Sequence, residues 1–404
     1  MKATMKAVTY LADFGSPHRP YTGGYYFASC LLRILRELPI NLTVFSVAYP
    51  NIDLGESYIS GEGIAAMKLP TGGFGNPWTG FSWVRQLRRR LQKMPAQDLY
   101  IFDQPMTLAR FLPQAPALAM FHGSDFVRWQ DLSLTHPRDF IYGLLWRKLF
   151  LNRVHRKFLT KAIGIPLFNS RDTLTRLAAD FQVDPHPLEK YITYLPIETD
   201  KFRFDEEDRV KLRQKYNLAN DEIVIIALSN FDPVKRADRL TSMITNLFNQ
   251  LPNEKIRFLL VGGGRQSQSI DELIKKTRIA DRLIRVGEVP HTEVYKYYSA
   301  ADIALSTSQR ESFGYFITEG MSVGLPFVAY RGGAIEEVID DSETGFVVES
   351  EEDFLTRLIT LIQNKALWQK MGEAGRTRVE SMFSLLAFKK RFLSILDAEF
   401  GLQF

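Results

Sequence analysis

The sequence predicts an α/β protein built as two doubly wound, Rossmann-like domains. Three observations lead there. Between Glu222 and Val286, short apolar runs alternate with amphipathic stretches at the pace of βαβ units, which calls for a parallel sheet covered by helices. Glycines cluster where an apolar run hands over to a helical one, at Gly23-Gly24, Gly262-Gly263-Gly264 and Gly332-Gly333. At 404 residues the chain is too long for one ordinary domain and suits two.

In the first half, residues 7–12 read as a buried strand. Gly23-Gly24 then opens a helix over 25–38, where glycine lets the backbone approach a ligand closely. Residues 42–48 form a second strand, and the Gly/Pro/Thr-rich 70–80 a loop. Residues 82–94 are a basic amphipathic helix. Trp83, Val84, Leu87, Leu91 and Met94 form its apolar stripe, which packs on the sheet and leaves Arg85, Arg88, Arg89 and Lys93 to meet anionic lipid. Strands follow at 99–102 and 117–121. The second ends in His122-Gly123-Ser124-Asp125, so His122 sits at the carboxyl end of a central strand, facing the ligand edge. Residues 138–161 are helical, with Phe140, Tyr142, Trp146, Phe150 and Phe158 among basic residues. A strand at 163–168 leads to a helix capped by Asn169-Ser170.

The second half reads as a charged helix at 206–216, strands at 222–228, 256–261 and 283–286, and a helix at 239–249. Residues 366–400 are expected to be helical. The most informative stretch is 302–348. A strand at 303–305 meets a small polar loop, then Glu311 and the turn glycine Gly314, and then a helix over 315–323 that carries Glu319 about two turns in. A second strand at 326–330 meets Gly332-Gly333 and another helix start at 334–339. This arrangement puts two helix N-termini on one edge of a parallel sheet, where open N–H groups and the helix dipole favour an anion. A phosphate suits those N–H groups, and Glu311 and Glu319 suit the hydroxyls of a ribose or hexose. Together they describe a nucleotide-sugar pocket.

Composition narrows the setting. The single cysteine, Cys30, rules out an intramolecular disulfide, and six scattered histidines argue against a Cys/His zinc cluster. With no signal-like apolar core near Lys2 and Lys6, a cytoplasmic protein is expected. Residues 85–161 hold 14 basic and 5 acidic residues, a face suited to an anionic membrane surface or an acidic acceptor. No nucleic-acid partner is expected. No Asp-x-Asp pair occurs, so no metal site and no cofactor are expected.

The 302–348 stretch resembles the donor-site signature of the retaining family 4 glycosyltransferases (glycosyl transferases group 1), which have the GT-B fold. The matching residues are Glu311, Phe313, Gly314, Glu319, Gly320, Gly324, Pro326, Gly332, Gly333, Glu337 and Gly345. The resemblance implies a metal-independent hexosyltransferase that uses a nucleoside diphosphate sugar, UDP being the family's usual carrier, with a lipid-linked, polysaccharide or other glycoconjugate acceptor. It implies an acceptor-side domain at 1–198, a donor domain at 199–383 and a last helix at 384–404 crossing back to the first domain. The two domains are expected to face a cleft.

The resemblance also distributes roles. Glu311, His122 and Lys235 are the implied catalytic residues: Glu311 on the transferred sugar, His122 orienting it, and Lys235 on the diphosphate. Gly23, Gly24, Asn230, Arg236, Gly287, Val289, Ser312, Phe313, Gly314, Tyr315 and Glu319 are implied to line the donor, with Glu319 on the ribose hydroxyls and the Gly287–Pro290 loop near the base. The chain departs from the pattern at Asn230, where the family has an arginine, and Arg236, Arg239 and Arg265 are the basic residues at hand to replace its charge. It departs again at Ile197-Glu198, where the family's linker usually has Asn-Gly. Two other readings of the same residues stand beside this one: a nucleotide-sugar binder with weakened catalysis, and a sugar-nucleotide epimerase on the same fold.

Overall fold

The structure of the protein, a computed structural model, describes residues 6–12, 23–48, 64–68, 89, 91–103, 116–123, 152–231, 233–264, 266–276 and 279–403. The loop at 70–80, most of the basic helix at 82–94, Ser124, Asp125, residues 138–151 and Arg265 lie outside the described residues. The chain divides into two compact units, Met1–Tyr194 with Lys389–Phe404, and Leu195–Phe388.

In the first unit, β1 (Lys6–Ala12), α1 (Gly23–Arg36), β2 (Ile40–Ala48), β3 (Ile64–Lys68), β4 (Leu99–Asp103), β5 (Ala117–Phe121), α2 (Asn152–Leu159), β6 (Ile165–Phe168) and α3 (Arg171–Phe181) follow in order. The strands pair in parallel in the order β3-β2-β1-β4-β5-β6. Val8 through Ala12, and all of β4 and β5, are buried. Strands covered on both faces read as unbroken apolar runs rather than alternating ones, which is why they were visible in the sequence. β3 carries the apolar run Ile64 to Met67 but was not among the expected strands. Strand order reverses between β1 and β4, so a switch point lies beyond Ala12 and Asp103. Ser170 caps α3 by accepting from the Thr173 N–H, as expected.

The second unit repeats this plan. Its elements are α4 (Glu206–Lys215), β7 (Ile223–Leu228), α5 (Ala237–Gln250), β8 (Ile256–Val261), α6 (Ser267–Lys276), β9 (Leu283–Gly287), α7 (Val294–Ala300), β10 (Ile303–Ser306), α8 (Tyr315–Val323), β11 (Phe327–Tyr330), α9 (Ile335–Val338), β12 (Gly345–Val348), α10 (Glu351–Gln363) and α11 (Lys365–Arg378). The parallel order β12-β11-β10-β7-β8-β9 places a switch point between β7 and β10. The core of the unit joins Ile225, Phe258 and Leu260 of the sheet to Leu240, Ile244 and Leu247 of α5 and to Phe354, Leu358 and Leu361 of α10. Each such side chain, fully buried, is worth about 1.5–3 kcal/mol. At the amino end of β10, Asp302 accepts from the Val224 N–H at 2.8 Å and pairs with Arg209 at 2.7 Å and Arg213 at 3.4 Å, tying α4 to the sheet.

The expected continuous helix over 366–400 is broken. A π turn (Val379–Phe383) follows α11, and α12 (Leu385–Phe400) starts afresh after Ser384. The break is tertiary in origin. The Phe383 carbonyl accepts from the Ile197 N–H at 2.7 Å, and the Leu385 N–H donates to the Ile197 carbonyl at 3.0 Å, so these groups bond across the chain rather than along a helix. From Lys389 onward α12 belongs to the first unit, where Lys389 pairs with Glu37 at 2.7 Å and Glu399 with Lys190 at 2.6 Å.

Candidate functional site

The switch point of the second unit collects most of the residues singled out in the sequence. The chain leaves β7 through Ser229, Asn230 and Phe231 and makes a short turn at Pro233–Lys235. The polar loop after β10 holds that turn: Thr307 Oγ1 donates to the Lys235 carbonyl at 2.9 Å, and the Gln309 N–H donates to the Val234 carbonyl at 2.8 Å. These bonds fix Lys235 where its Nζ lies 2.5 Å from Glu311 Oε1 and 5.1 Å from the centre of the Phe316 ring. The side chains of Lys235 and Glu311 are 17% and 10% exposed, so little water competes with the pair. Two groups expected to serve phosphate and sugar separately are thus paired with each other.

Glu311 is placed from the other side by the glycine turn after β11. Its carbonyl accepts from the Ala334 N–H at 2.8 Å, and its N–H faces the Gly332 carbonyl at 3.4 Å. A Cβ at Gly332 would collide with the Gln309 carbonyl, and one at Gly333 (φ +68°) with the Glu311 carbonyl. Glycine is therefore required here for close approach of two backbones as well as for the turn.

Helix α8 begins after Gly314, whose φ of +92° is a left-handed conformation. No side chain caps this end, so its first-turn N–H groups point beyond the carboxyl edge of the sheet with the positive end of the helix dipole. Ser312 and Tyr315 flank this turn, and Phe313 is buried between Tyr315 and Phe383 at ring distances of 5.6 and 5.5 Å, leaving its backbone rather than its ring at the edge. Glu319 lies four residues after Tyr315, which is one turn into α8 and not two. It is 3% exposed, and its Oε1 lies 2.6 Å from Nε2 of His291. The sequence reading missed His291. It follows directly on the Gly287–Pro290 loop expected near the base, and its position there is the available signal. Gly287 has φ +84°, and its carbonyl accepts from the Gly262 N–H at 2.7 Å; Val289 lies two residues before His291.

Of the three arginines expected to replace the missing charge at Asn230, Arg265 lies outside the described residues, and the other two make contacts of their own. Arg236 grips Asp238 with contacts of 2.6, 2.9 and 3.1 Å, and that carboxylate raises the Arg236 pKa. The Arg239 guanidinium stands 4.6 Å from the centre of the Tyr330 ring. A different arginine lies beside this loop. Arg285 stacks over Phe231 at 5.2 Å and donates to the Gly262 carbonyl at 2.5 Å.

In the first unit the switch point holds His122, 6% exposed, whose Nε2 contacts Asp103 Oδ1. Asp103 ends β4, accepts from the Tyr10 hydroxyl at 3.3 Å, and was not among the residues expected from the sequence. Asn169 Nδ2 donates to the His122 carbonyl at 3.0 Å, and the Phe27 ring meets the imidazole edge-on at 5.0 Å. Phe27 lies on α1, the helix that Gly23 and Gly24 open. A carboxylate against one ring nitrogen fixes the orientation of an imidazole. Among the described residues no cluster of three or more His, Cys, Asp or Glu is placed to hold a metal.

Residues 208–378, most of the second unit, match the family model for Glycosyl transferases group 1. The chain is 29% identical over 180 residues to the N-acetyl-alpha-D-glucosaminyl L-malate synthase of Bacillus anthracis, covering 44% of this chain and 46% of that protein. It is 26% identical over 242 residues to the GDP-mannose-dependent alpha-(1-6)-phosphatidylinositol monomannoside mannosyltransferase of Mycolicibacterium smegmatis, covering 57% and 61%. The matches thus span roughly half the length of these curated relatives. Among solved structures, Anabaena HepE in complex with UDP superposes with a TM-score of 0.72 over 98% of this chain and 100% of that one, at 16% identity. At that identity the likeness speaks for the fold, which is GT-B.

Proposed function

We propose that the protein is a retaining glycosyltransferase that moves a hexosyl group from a UDP-sugar to a hydroxyl acceptor without a divalent metal. The observation that carries this reading is the Lys235–Glu311 pair at the β7/β10 switch point, beside the uncapped start of α8 and inside the matched region. In the proposed reaction the bond from the sugar C1 to the diphosphate breaks, and its electron pair leaves on the diphosphate. The acceptor oxygen bonds C1, and its proton is released. Lys235 exchanges Glu311 for the diphosphate and, with the N–H groups at the start of α8, stabilises the growing negative charge; such preorganised charge stabilisation is commonly the largest catalytic term. Glu311, released from the lysine, takes the sugar hydroxyls and favours the cationic C1. Glu319 takes the ribose hydroxyls, and the Gly287–Pro290 loop meets the base. His122, held by Asp103, is a substrate-contacting group of the first unit.

A panel of nucleoside diphosphate sugars tested by thermal shift, followed by product analysis, tests the reading. A UDP-sugar is expected to give the largest shift, and the product anomer to match the donor anomer in the presence of EDTA. Stabilisation by no nucleotide sugar would overturn the reading. An inverted product would overturn retention, and activity lost to EDTA and restored by magnesium would overturn metal independence. One observation favours a second reading, a nucleotide-sugar binder with weakened catalysis: Arg236 pairs with Asp238 and Arg239 stacks on the Tyr330 ring, contacts that compete with any role in place of the arginine missing at Asn230. Donor binding without transfer or donor hydrolysis would select it.

A further inference from the structure

Glu319 is held from one side by a chain of groups that all belong to the second unit. Its side chain is 4% exposed, and among the described residues His291 is its hydrogen-bonding partner. His291 is itself wedged. Its ring centre lies 5.4 Å from that of the fully buried Phe202. The Phe202 carbonyl accepts from Ser322 Oγ at 2.6 Å and from Arg376 Nη1 at 2.8 Å. The same guanidinium nitrogen donates to the carbonyls of Thr199 at 3.1 Å and Ser322 at 2.5 Å. Ser322 is three residues beyond Glu319 on α8, so Arg376 ties the Phe202 segment to the helix that carries the carboxylate. Pro290, with φ −58°, sets the entry of His291 into its short turn.

A carboxylate offers about four acceptor positions on its two oxygens. The Nε2–H of His291 occupies one of them, on Oε1, and turns the plane of the group. The remaining positions can accept two adjacent hydroxyls. We infer that His291 is a positioning residue that sets Glu319 as the acceptor for a vicinal diol, so that the second unit tells a ribonucleotide from its 2′-deoxy counterpart through a side chain behind the carboxylate. This rests on the nucleotide-sugar reading above.

The test is the ratio of affinities, by calorimetry, for UDP and 2′-deoxy-UDP, and for GDP and 2′-deoxy-GDP, in the wild type, His291→Phe and His291→Gln. A hydrogen bond to a charged group makes the wild type prefer the ribo form roughly tenfold or more. In His291→Phe that ratio falls below about threefold, while the affinity for the deoxy form changes little. His291→Gln, whose amide still donates to Glu319, recovers part of the preference. If His291→Phe does not fold, the ratio is read on His291→Asn. A variant that keeps the wild-type ratio, or weakens both nucleotides equally, overturns the inference, and so does a wild type that binds UDP with no ribo preference. A wild type that binds neither UDP nor GDP overturns the nucleotide-sugar reading itself.

Discussion

Lys235→Ala removes the ammonium that lies 2.5 Å from Glu311, and its consequences separate a functional charge from a structural one. Two effects are expected. The first is on stability. Breaking a fully buried ion pair costs about 3–5 kcal/mol, and the 17% and 10% exposure of this pair lowers that to about 1–3 kcal/mol, because water reaches the stranded carboxylate. The second is on the ligand. Losing a charged donor to the diphosphate costs about 1.5–3 kcal/mol, which is roughly 10- to 150-fold in affinity for UDP. Turnover should fall further, by about 10²–10³, because negative charge on the leaving group grows towards the transition state. Glu311→Gln added to Lys235→Ala replaces the stranded carboxylate with a neutral amide and should recover most of the lost thermal stability. It should recover neither UDP affinity nor turnover. The assays are thermal unfolding, UDP calorimetry and donor turnover on the two single variants and the double variant. UDP affinity within threefold of wild type in Lys235→Ala would refute the reasoning. So would full recovery of UDP binding in the double variant, since Lys235 would then serve only to neutralise Glu311.

Three further outcomes are expected. Burial lowers the His155 pKa from 6.5 to about 4, so its folded form stays neutral where the unfolded chain already binds a proton. Stability is therefore lost as pH falls from about 6.5 towards 4, by about 3 kcal/mol in all, and urea unfolding at pH 7 and pH 4.5 should show a smaller acid loss in His155→Phe. Equal losses in both proteins would exclude His155 as the source. Gly332→Ala forces a methyl group into the Gln309 carbonyl and should cost about 1–3 kcal/mol while weakening UDP binding; a variant as stable and as tight as wild type would show that the turn can move aside. Helix α2 exposes Arg153, Arg156 and Lys157 while burying Val154 and Phe158, so the protein should co-sediment with vesicles of anionic phospholipid at low salt and be released at high salt. Absence from the low-salt pellet would end the membrane proposal.

Much of the second unit was legible because its signals are local. β8 at Ile256–Val261 and α8 at Tyr315–Val323 have the bounds that apolar runs and glycine turns assign them. The break before Leu385 was not legible, because helical periodicity continues through it and the competing partner, Ile197, lies nearly two hundred residues away. Glu319 was recognised from spacing, but its burial against His291 was not, since a loop histidine carries no periodic signature. The neighbours of Arg236 and Arg239 were not legible for a similar reason. Asp238 and Tyr330 claim those guanidinium groups, and only three-dimensional neighbours reveal it.

Residue order alone determined two α/β units and the places where strands hand over to helices, and it marked Glu311, Glu319, Lys235 and His122 as chemistry. Hydrophobic period and turn stereochemistry act over a few residues and can be read along a line. The pairings were decided by tertiary structure. Lys235 meets Glu311 because β7 and β10 are neighbours at the switch point, and His122 meets Asp103 because β4 lies beside β5. Strand order arises from how whole helices cover a sheet, and no local pattern encodes it. The charge balance of the site, each lysine or histidine already holding a carboxylate, became visible only once that order was known.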